Sequence, residues 1–264
     1  MKDNQKDSII LVALFVALII LNYPFLDHIS EKFFSLREEV VIDRVIDGDT
    51  IEANKTIIRL LGINTPEKGE PFYEEAKLFL ESRILNKTVQ LEFIGERYDK
   101  YNRTLAYIFL DNVNINAEIV KNGFANYYFP SGRHFRYEEF KKAWDYCIKK
   151  NINLCKSSED ICALCVEIKE LNLKEDTLTL HNKCNFSCNL KDWKIKNEGR
   201  KKFIFKEFLL NANKDVTIRR GDGFDNASLL YWHEKNKIWA SSGDSLFLID
   251  NKGGIVLFRS TPSF

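Results

Sequence analysis

A chain of 264 residues, 45% hydrophobic and 29% charged, holds enough apolar material for two ordinary cores and excludes extensive disorder. Its formal net charge of +1 excludes a global basic signature, so any contact with nucleic acid must come from local clusters. Six cysteines beside a single methionine leave two options open, an oxidising compartment or a metal site.

Residues 8–26 read SIILVALFVALIILNYPFL, uncharged and close to the ~20 apolar residues a helix needs to cross a bilayer. Tyr23 and Pro24 at the far end suit a membrane interface and a helix stop. No small-x-small cleavage site follows, so a single-pass transmembrane helix is favoured over a cleaved leader, which would leave the protein secreted. Lys2 and Lys6 before the run and Lys32 and Arg37 after it barely bias orientation. The very short N-terminal tail leans toward an extracytoplasmic catalytic domain. Anchor and charged spacer occupy residues 1–36.

From residue 37 the pattern becomes mixed. Strand-like runs at 40–53, 57–63, 88–94 and 104–110 alternate with turn residues, and 124–129 is aromatic and extended. Pro71 with Glu74 and Glu75 opens a helix, 116–122 reads as a short helix closed by Gly123, and 137–150 as an amphipathic one. Five strands and about three helices over 37–156 predict a small closed barrel of OB type. The segment 157–165 is polar, lacks periodicity and carries cysteines, and reads as a linker. Beyond it, 166–264 is a series of short alternating runs between Asn, Gly and Asp turns, which predicts an all-β sandwich. The fold class is mainly β with α.

The polar residues of 45–67, VIDGDTIEANKTIIRLLGINTPE, are more than strand pairing requires. Asp49, the amide oxygen of Asn64 and the backbone near Thr65 are hard oxygen donors of the kind Ca²⁺ takes. Arg59 and Arg103 carry guanidinium forks that match two phosphate oxygens. Glu67 is placed to take a proton from an attacking water. Each alone is more economically read as turn chemistry, an ion pair or a helix-terminal charge. Their order along the chain favours a common site.

Together VIDGDT, IRLLGINTPE and DKYNRTLAYI resemble the staphylococcal nuclease (thermonuclease) family over roughly residues 40–156. The resemblance implies an endonuclease hydrolysing phosphodiester bonds of DNA, RNA or both. It makes Arg59 and Arg103 the phosphate-binding arginines and Glu67 the general base. Asp49 and the backbone of Thr65 would bind calcium, and Lys100 and Tyr101 would contact substrate. Where the family commonly has a second aspartate this chain has Asn64, which keeps an oxygen ligand but loses a charge, so weaker Ca²⁺ binding is expected.

Residues 166–258 resemble the lamin-tail domain, an immunoglobulin-like sandwich, whose protein partner the sequence does not reveal. Trp193 is expected in its core, and Asp250 to Gly253 as a hairpin turn. The basic cluster Arg200-Lys201-Lys202 could touch nucleic acid, with a solvated hairpin tip the favoured reading. Cys162, Cys165, Cys184 and Cys188 have spacings that structural Zn²⁺ would accept, and Cys147 and Cys155 form a further natural pair; disulfides are favoured over zinc. The rival to an anchored calcium-dependent nuclease is an OB-type module that binds nucleic acid without cutting it or tethers partners.

Overall fold

The computed structural model describes residues 37–240 and 242–261, with Val12, Val16, Leu18 and Ile20 as single helical, exposed positions before them. The expected membrane span therefore lies mostly outside the described residues. Among the described residues no helix is long and apolar enough to cross a membrane.

The first half starts with four short strands, β1 (Arg37–Val41), β2 (Arg44–Asp47), β3 (Thr50–Ala53) and β4 (Thr56–Leu60), and the two-residue β5 (Ile63–Asn64). Asn54 and Lys55 both adopt positive φ, as the two-residue hairpin between β3 and β4 requires. Gly48, in the turn between β2 and β3, sits so close to its neighbours that a Cβ there would meet Ala76 at 2.8 Å and Thr65 at 2.9 Å. The chain continues through α1 (Tyr73–Ile84), β6 (Thr88–Glu92), β7 (Thr104–Leu110), β8 (Val113–Asn114), α2 (Ile115–Lys121), β9 (Asn126–Tyr127) and α3 (Tyr137–Lys150).

The helix limits follow local chemistry. Asn114 caps α2 by accepting from the Ala117 N–H, and Gly123 at φ 71° closes it. Helix α1 starts two residues after Pro71, because Phe72 takes a left-handed conformation and the helical hydrogen bonding begins beyond it. Glu74 and Glu75 occupy its first turn as expected.

The expected closed five-stranded barrel is corrected to an open sheet of seven strands, ordered β1-β6-β7-β4-β3-β2 with β8 beside β7. Its edges, β1 and β2, are successive parts of one stretch and do not pair with each other. Ile42 N–H donates to the Lys87 carbonyl on one side, and Asp43 N–H to the Glu52 carbonyl on the other. The stretch bends between them and serves both ends of a curled sheet. Strands β5 and β9 form a separate pair that sets Asn64 opposite Asn126.

After two 3-10 turns, Asn153–Cys155 and Ile161–Leu164, the second half contains β10 (Val166–Asn172), β11 (Thr177–Asn182), β12 (Cys188–Asn189), β13 (Lys194–Lys196), β14 (Lys202–Ile204) and β15 (Leu209–Leu210). It ends with β16 (Asp215–Arg220), β17 (Leu229–Trp232), β18 (Ser245–Ile249) and β19 (Ile255–Ser260). Two four-stranded sheets, β10-β11-β16-β17 and β14-β13-β18-β19, share one core around Trp193, Phe205 and Trp239, consistent with a sandwich. Trp193 is fully buried, and Asp250 accepts from the Lys252 and Gly254 N–H groups in the expected turn.

All six cysteines are bridged, Cys147 to Cys155, Cys162 to Cys188 and Cys165 to Cys184. The zinc alternative is thereby set aside, since no thiolate remains as a ligand.

The two halves are tied by buried contacts. Phe247 from β18 joins the first-half core and meets the Trp144 ring edge-on at 5.5 Å. Tyr127 and Ser245 share a buried hydroxyl hydrogen bond of 2.8 Å, and the Asn126 amide donates to the Glu198 carbonyl at 2.8 Å. The Glu198 side chain is buried at this junction. Ser245 Oγ donates to its Oε1 at 2.8 Å and the Phe129 N–H to its Oε2 at 3.4 Å. Burial pushes its carboxyl from 4.5 up to about 8; the charge of Asp244 adds to the rise, and Arg133 opposes it.

That group makes stability depend on pH in a definite direction. The folded state holds the Glu198 proton more tightly than the unfolded state does. The stability from protonated Glu198 is therefore complete below about 4.5 and is lost as pH rises through about 8. The Glu198→Gln variant, neutral throughout, is expected to melt several degrees above the parent at pH 8, on the order of 5 °C, and level with it near pH 5. Parallel melting curves across this window would show that Glu198 is ionised in the fold.

Candidate active site

The turn Asp47-Gly48-Asp49 delivers a buried carboxylate to the end of the β2–β3 hairpin. Asp49 Oδ2 accepts from both the N–H and the hydroxyl of Thr65, at 3.1 and 3.0 Å, and pairs with Arg59 Nη2 at 2.9 Å. Thr50 Oγ1 donates to its other oxygen at 3.1 Å. Asp47 accepts from the Asp49 N–H at 3.0 Å. Burial raises the Asp47 carboxyl above its ordinary value, with the neighbouring charge of Asp49 adding to the effect.

Arg59 is buried, with Nη1 donating to the Leu60 carbonyl at 2.5 Å and Nη2 to the Ile63 carbonyl at 2.9 Å. Burial lowers its guanidinium from the usual value, Asp49 works the other way, and the charges of Arg103 and Arg200 add to the lowering. Arginine remains charged even so. The parallel β4–β7 ladder sets Arg59 opposite Leu105, which brings Arg103 to the same end of the sheet.

Arg103 is gripped by Asp99, through Nε at 2.8 Å, Nη2 at 2.7 Å and its own backbone N–H at 2.9 Å. Burial tends to raise the Asp99 carboxyl, but its hydrogen bonds with Arg103 and the Tyr101 N–H outweigh this and hold it below the ordinary value. Tyr101 is exposed on the same loop. Its ring lies 4.9 Å from Lys100 Nζ and 5.6 Å from the Arg103 guanidinium, so Lys100, Tyr101 and Arg103 form one surface.

Glu67 and Asn64 are engaged by the second half of the chain. Glu67 Oε1 pairs with Arg200 Nη2 at 2.5 Å, both side chains half exposed. The Asn64 amide donates to the Gly199 carbonyl at 2.9 Å, and its oxygen accepts from Arg200 Nε at 3.5 Å. Beside them Lys202 pairs with Glu70 at 3.0 Å, and Glu70 accepts from the Glu67 N–H at 2.9 Å. The Lys196 ammonium is enclosed in the same cleft, donates to Asn126 at 3.0 Å, and is pushed by burial down to about 8. The basic cluster does lie at a hairpin turn and is half exposed, but it is also engaged: Arg200 and Lys202 pair with the first half, and Lys201 with Glu234.

The expected residues therefore gather unevenly. Asp49, Arg59 and Thr65 are in direct contact, Arg103, Lys100 and Tyr101 share one loop nearby, Glu67 stands at the cleft, and Asn64 is turned to the second half. The sequence by itself assigns no role to Asp47 or Asp99, and it presents Arg200 only as part of a basic cluster that could touch nucleic acid. The first has a local signal, an acid two positions before Asp49 across a glycine. The partnership of Arg200 has none.

Among the described residues no group of three or more His, Cys, Asp or Glu side chains is arranged to hold a metal ion. The oxygen donors in contact are the Asp49 carboxylate and the Thr65 hydroxyl, and the Asp47 carboxylate, held on the Asp49 N–H, is close enough for the two charges to interact. One buried and one half-buried carboxylate, with neutral oxygens beside them, fit a hard divalent cation such as calcium.

A family model described as staphylococcal nuclease homologue matches residues 57–156, and one for the lamin tail domain matches residues 164–262. Asp47 and Asp49 precede the first match; Arg59, Asn64, Thr65, Glu67, Lys100, Tyr101 and Arg103 fall inside it. A thermonuclease of Staphylococcus hyicus is 32% identical over 170 residues, covering 58% of this chain and 98% of that protein. A thermonuclease of Staphylococcus intermedius is 36% identical over 109 residues, 37% of this chain and 65% of that protein. A prophage-derived endonuclease of Bacillus subtilis is 34% identical over 116 residues, 39% of each chain. The chain thus spans less than two thirds of the last two. These relatives support nuclease activity of the thermonuclease type.

Proposed function

Because the chain belongs to the staphylococcal nuclease family, with a lamin tail domain behind its nuclease-like half, we propose that it hydrolyses phosphodiester bonds of DNA, RNA or both with the help of calcium. The observation that carries this reading is the convergence on Asp49. One carboxylate is bonded by Arg59 and by both polar groups of Thr65, which joins the acidic turn, the arginine strand and the segment leading to Glu67.

Asp49, Asp47 and Thr65 are the residues to hold the cation; Asn64, engaged by the second half, is the weakest member of the expected ligand set. Calcium, when bound, supplies positive charge beside the phosphate and beside the water. Arg103, with Arg59 behind it, binds the phosphate oxygens that gain charge as water attacks. Glu67 accepts the water's proton as its oxygen bonds to phosphorus, using the carboxylate oxygen that Arg200 does not occupy. The bond to the leaving oxygen then breaks, and that oxygen takes a proton from solvent. Lys100 and Tyr101 hold the flanking strand through charge and stacking.

Incubation of the full chain with single- and double-stranded DNA and RNA tests the reading. Cleavage is expected with Ca²⁺ and none with chelator; no cleavage of any substrate with Ca²⁺ or Mg²⁺ removes it.

The same reading places residues 8–26 in a membrane and the nuclease half outside the cytoplasm. Three disulfides favour an oxidising compartment. Expression in sealed spheroplasts, followed by external protease, is expected to degrade the nuclease half while a cytoplasmic marker survives. Protection equal to that marker's would place it inside.

A further inference from the structure

We propose that the turn joining β13 to β14 is part of the active site, with Arg200 binding a phosphate of the nucleic-acid strand next to the one that is cut. This deepens the nuclease reading and rests on it.

Arg200 contributes little to holding the halves together, on energetic grounds. Its pair with Glu67 is half exposed, and exposed ion pairs contribute only about 0–1 kcal/mol. Docking is already achieved by Trp144 on Phe247, Tyr127 on Ser245 and Asn126 on the Glu198 carbonyl, all buried. An arginine at the rim adds little to that.

The turn is instead held as a rigid presenting element. From within the second half, the Asn197 amide donates to the Ile238 carbonyl at 2.9 Å and the Glu198 N–H to Asp244 at 2.9 Å. From the first half, Asn64 holds the Gly199 carbonyl and Asn126 the Glu198 carbonyl. Four side chains thus fix three successive residues, and the next one projects Arg200 over Glu67. Among the described residues no hydrogen bond engages its Nη1, so part of the five-donor fork is open to a further acceptor in the cleft that Arg200 lines.

The surroundings suit a polyanion. Lys196, Arg200 and Lys202 line one wall and Thr65, Glu67 and Glu70 the other, so the cleft carries three cationic side chains against two acidic ones. Arg200 is also close enough for its charge to act on Arg59. A strand whose scissile phosphate meets Arg59 and Arg103 would bring its neighbouring phosphate to the Arg200 wall. Successive phosphates then meet arginines from both halves of the chain.

The test uses the full chain and a short fluorescein-labelled single-stranded DNA, titrated in chelator over a salt series. The Arg200→Ala variant is expected to bind about tenfold more weakly, the loss of one charged hydrogen-bonded contact. Its slope of log affinity against log salt is expected to be shallower by about 0.7, the signature of one lost phosphate contact on a single strand. Arg200→Lys keeps the charge and should restore the slope while recovering only part of the affinity, because the fork is gone. With Ca²⁺, KM for Arg200→Ala is expected to rise about tenfold, with a smaller change in kcat. Lys174→Ala, the loss of an exposed cation in the turn between β10 and β11, is the reference for a general charge effect.

Affinity, salt slope and KM for Arg200→Ala matching Lys174→Ala would overturn the proposal, as would faster cleavage by Arg200→Ala, which would make the turn an inhibitory plug. Should the parent cleave nothing, the nuclease reading fails on its own terms, and the salt slope still decides whether Arg200 meets a phosphate.

Discussion

Glu67→Gln and Arg103→Ala are each expected to lower the proposed Ca²⁺-dependent cleavage by about 10²–10³-fold, the usual cost of removing one preorganised group from a charged transition state. Both side chains are partly exposed and lie outside the apolar core, so unfolding free energy is expected to stay within about 1 kcal/mol of the parent. Glu67→Gln preserves shape and removes the carboxylate proposed to accept the proton. Arg103→Ala removes the fork that Asp99 orients. Arg59→Ala behaves differently. Arg59 is buried against Asp49 and holds two backbone carbonyls, so its loss leaves a carboxylate uncompensated and costs about 3–5 kcal/mol of stability together with activity. Rates and melting curves measured on the same preparations separate the cases. Parent-like rates for Glu67→Gln or Arg103→Ala would remove these residues from the chemistry.

Reduction of the disulfides lowers the melting temperature on the order of 10–20 °C. Cys162 and Cys165, in and just after one 3-10 turn, are stitched to Cys188 and Cys184 across separations of 26 and 19 residues. Each such bridge contributes about 3 kcal/mol through the chain entropy it removes from the unfolded state. Cys147–Cys155 closes only 8 residues at the end of α3 and contributes less. All three are close to fully buried or flank buried groups, so reduction is expected to be slow until the second half opens. Trp193, in that core, reports the loss through its fluorescence. A melting temperature indifferent to reductant, with thiols that label in the native protein, would contradict the bridges.

The two mutational results would also separate two layers of the molecule. The acidic turn, both arginines and Glu67 belong to the first half and follow one another in order along a curled sheet. The second half contributes its own core, and through one turn it contacts Glu67 and Asn64 directly. Asn64 is the residue most changed by this view. As a sequence feature it stands among oxygen ligands, yet in the fold both ends of its amide are engaged by residues 199 and 200.

Whatever depends on near neighbours was legible in the sequence. Helix α3 spans Tyr137–Lys150 as its period predicts, Gly123 closes α2, and Asp111 and Asn112 take the positive φ angles of a hairpin turn. These are set by hydrogen bonds and steric limits within a few residues, which leave a periodic or compositional trace. The order of VIDGDT, IRLLGINTPE and DKYNRTLAYI marked the site for the same reason, since each piece is a local turn or strand end. Only the tertiary structure decided that the sheet stays open, how Cys162, Cys165, Cys184 and Cys188 pair, that Glu198 lies buried beside Ser245, and that Arg200 stands over Glu67. Those contacts join positions far apart in the chain, 135 residues in the case of Asn64 and Gly199. They depend on how two cores dock, and docking geometry leaves no period in the sequence from which to read it.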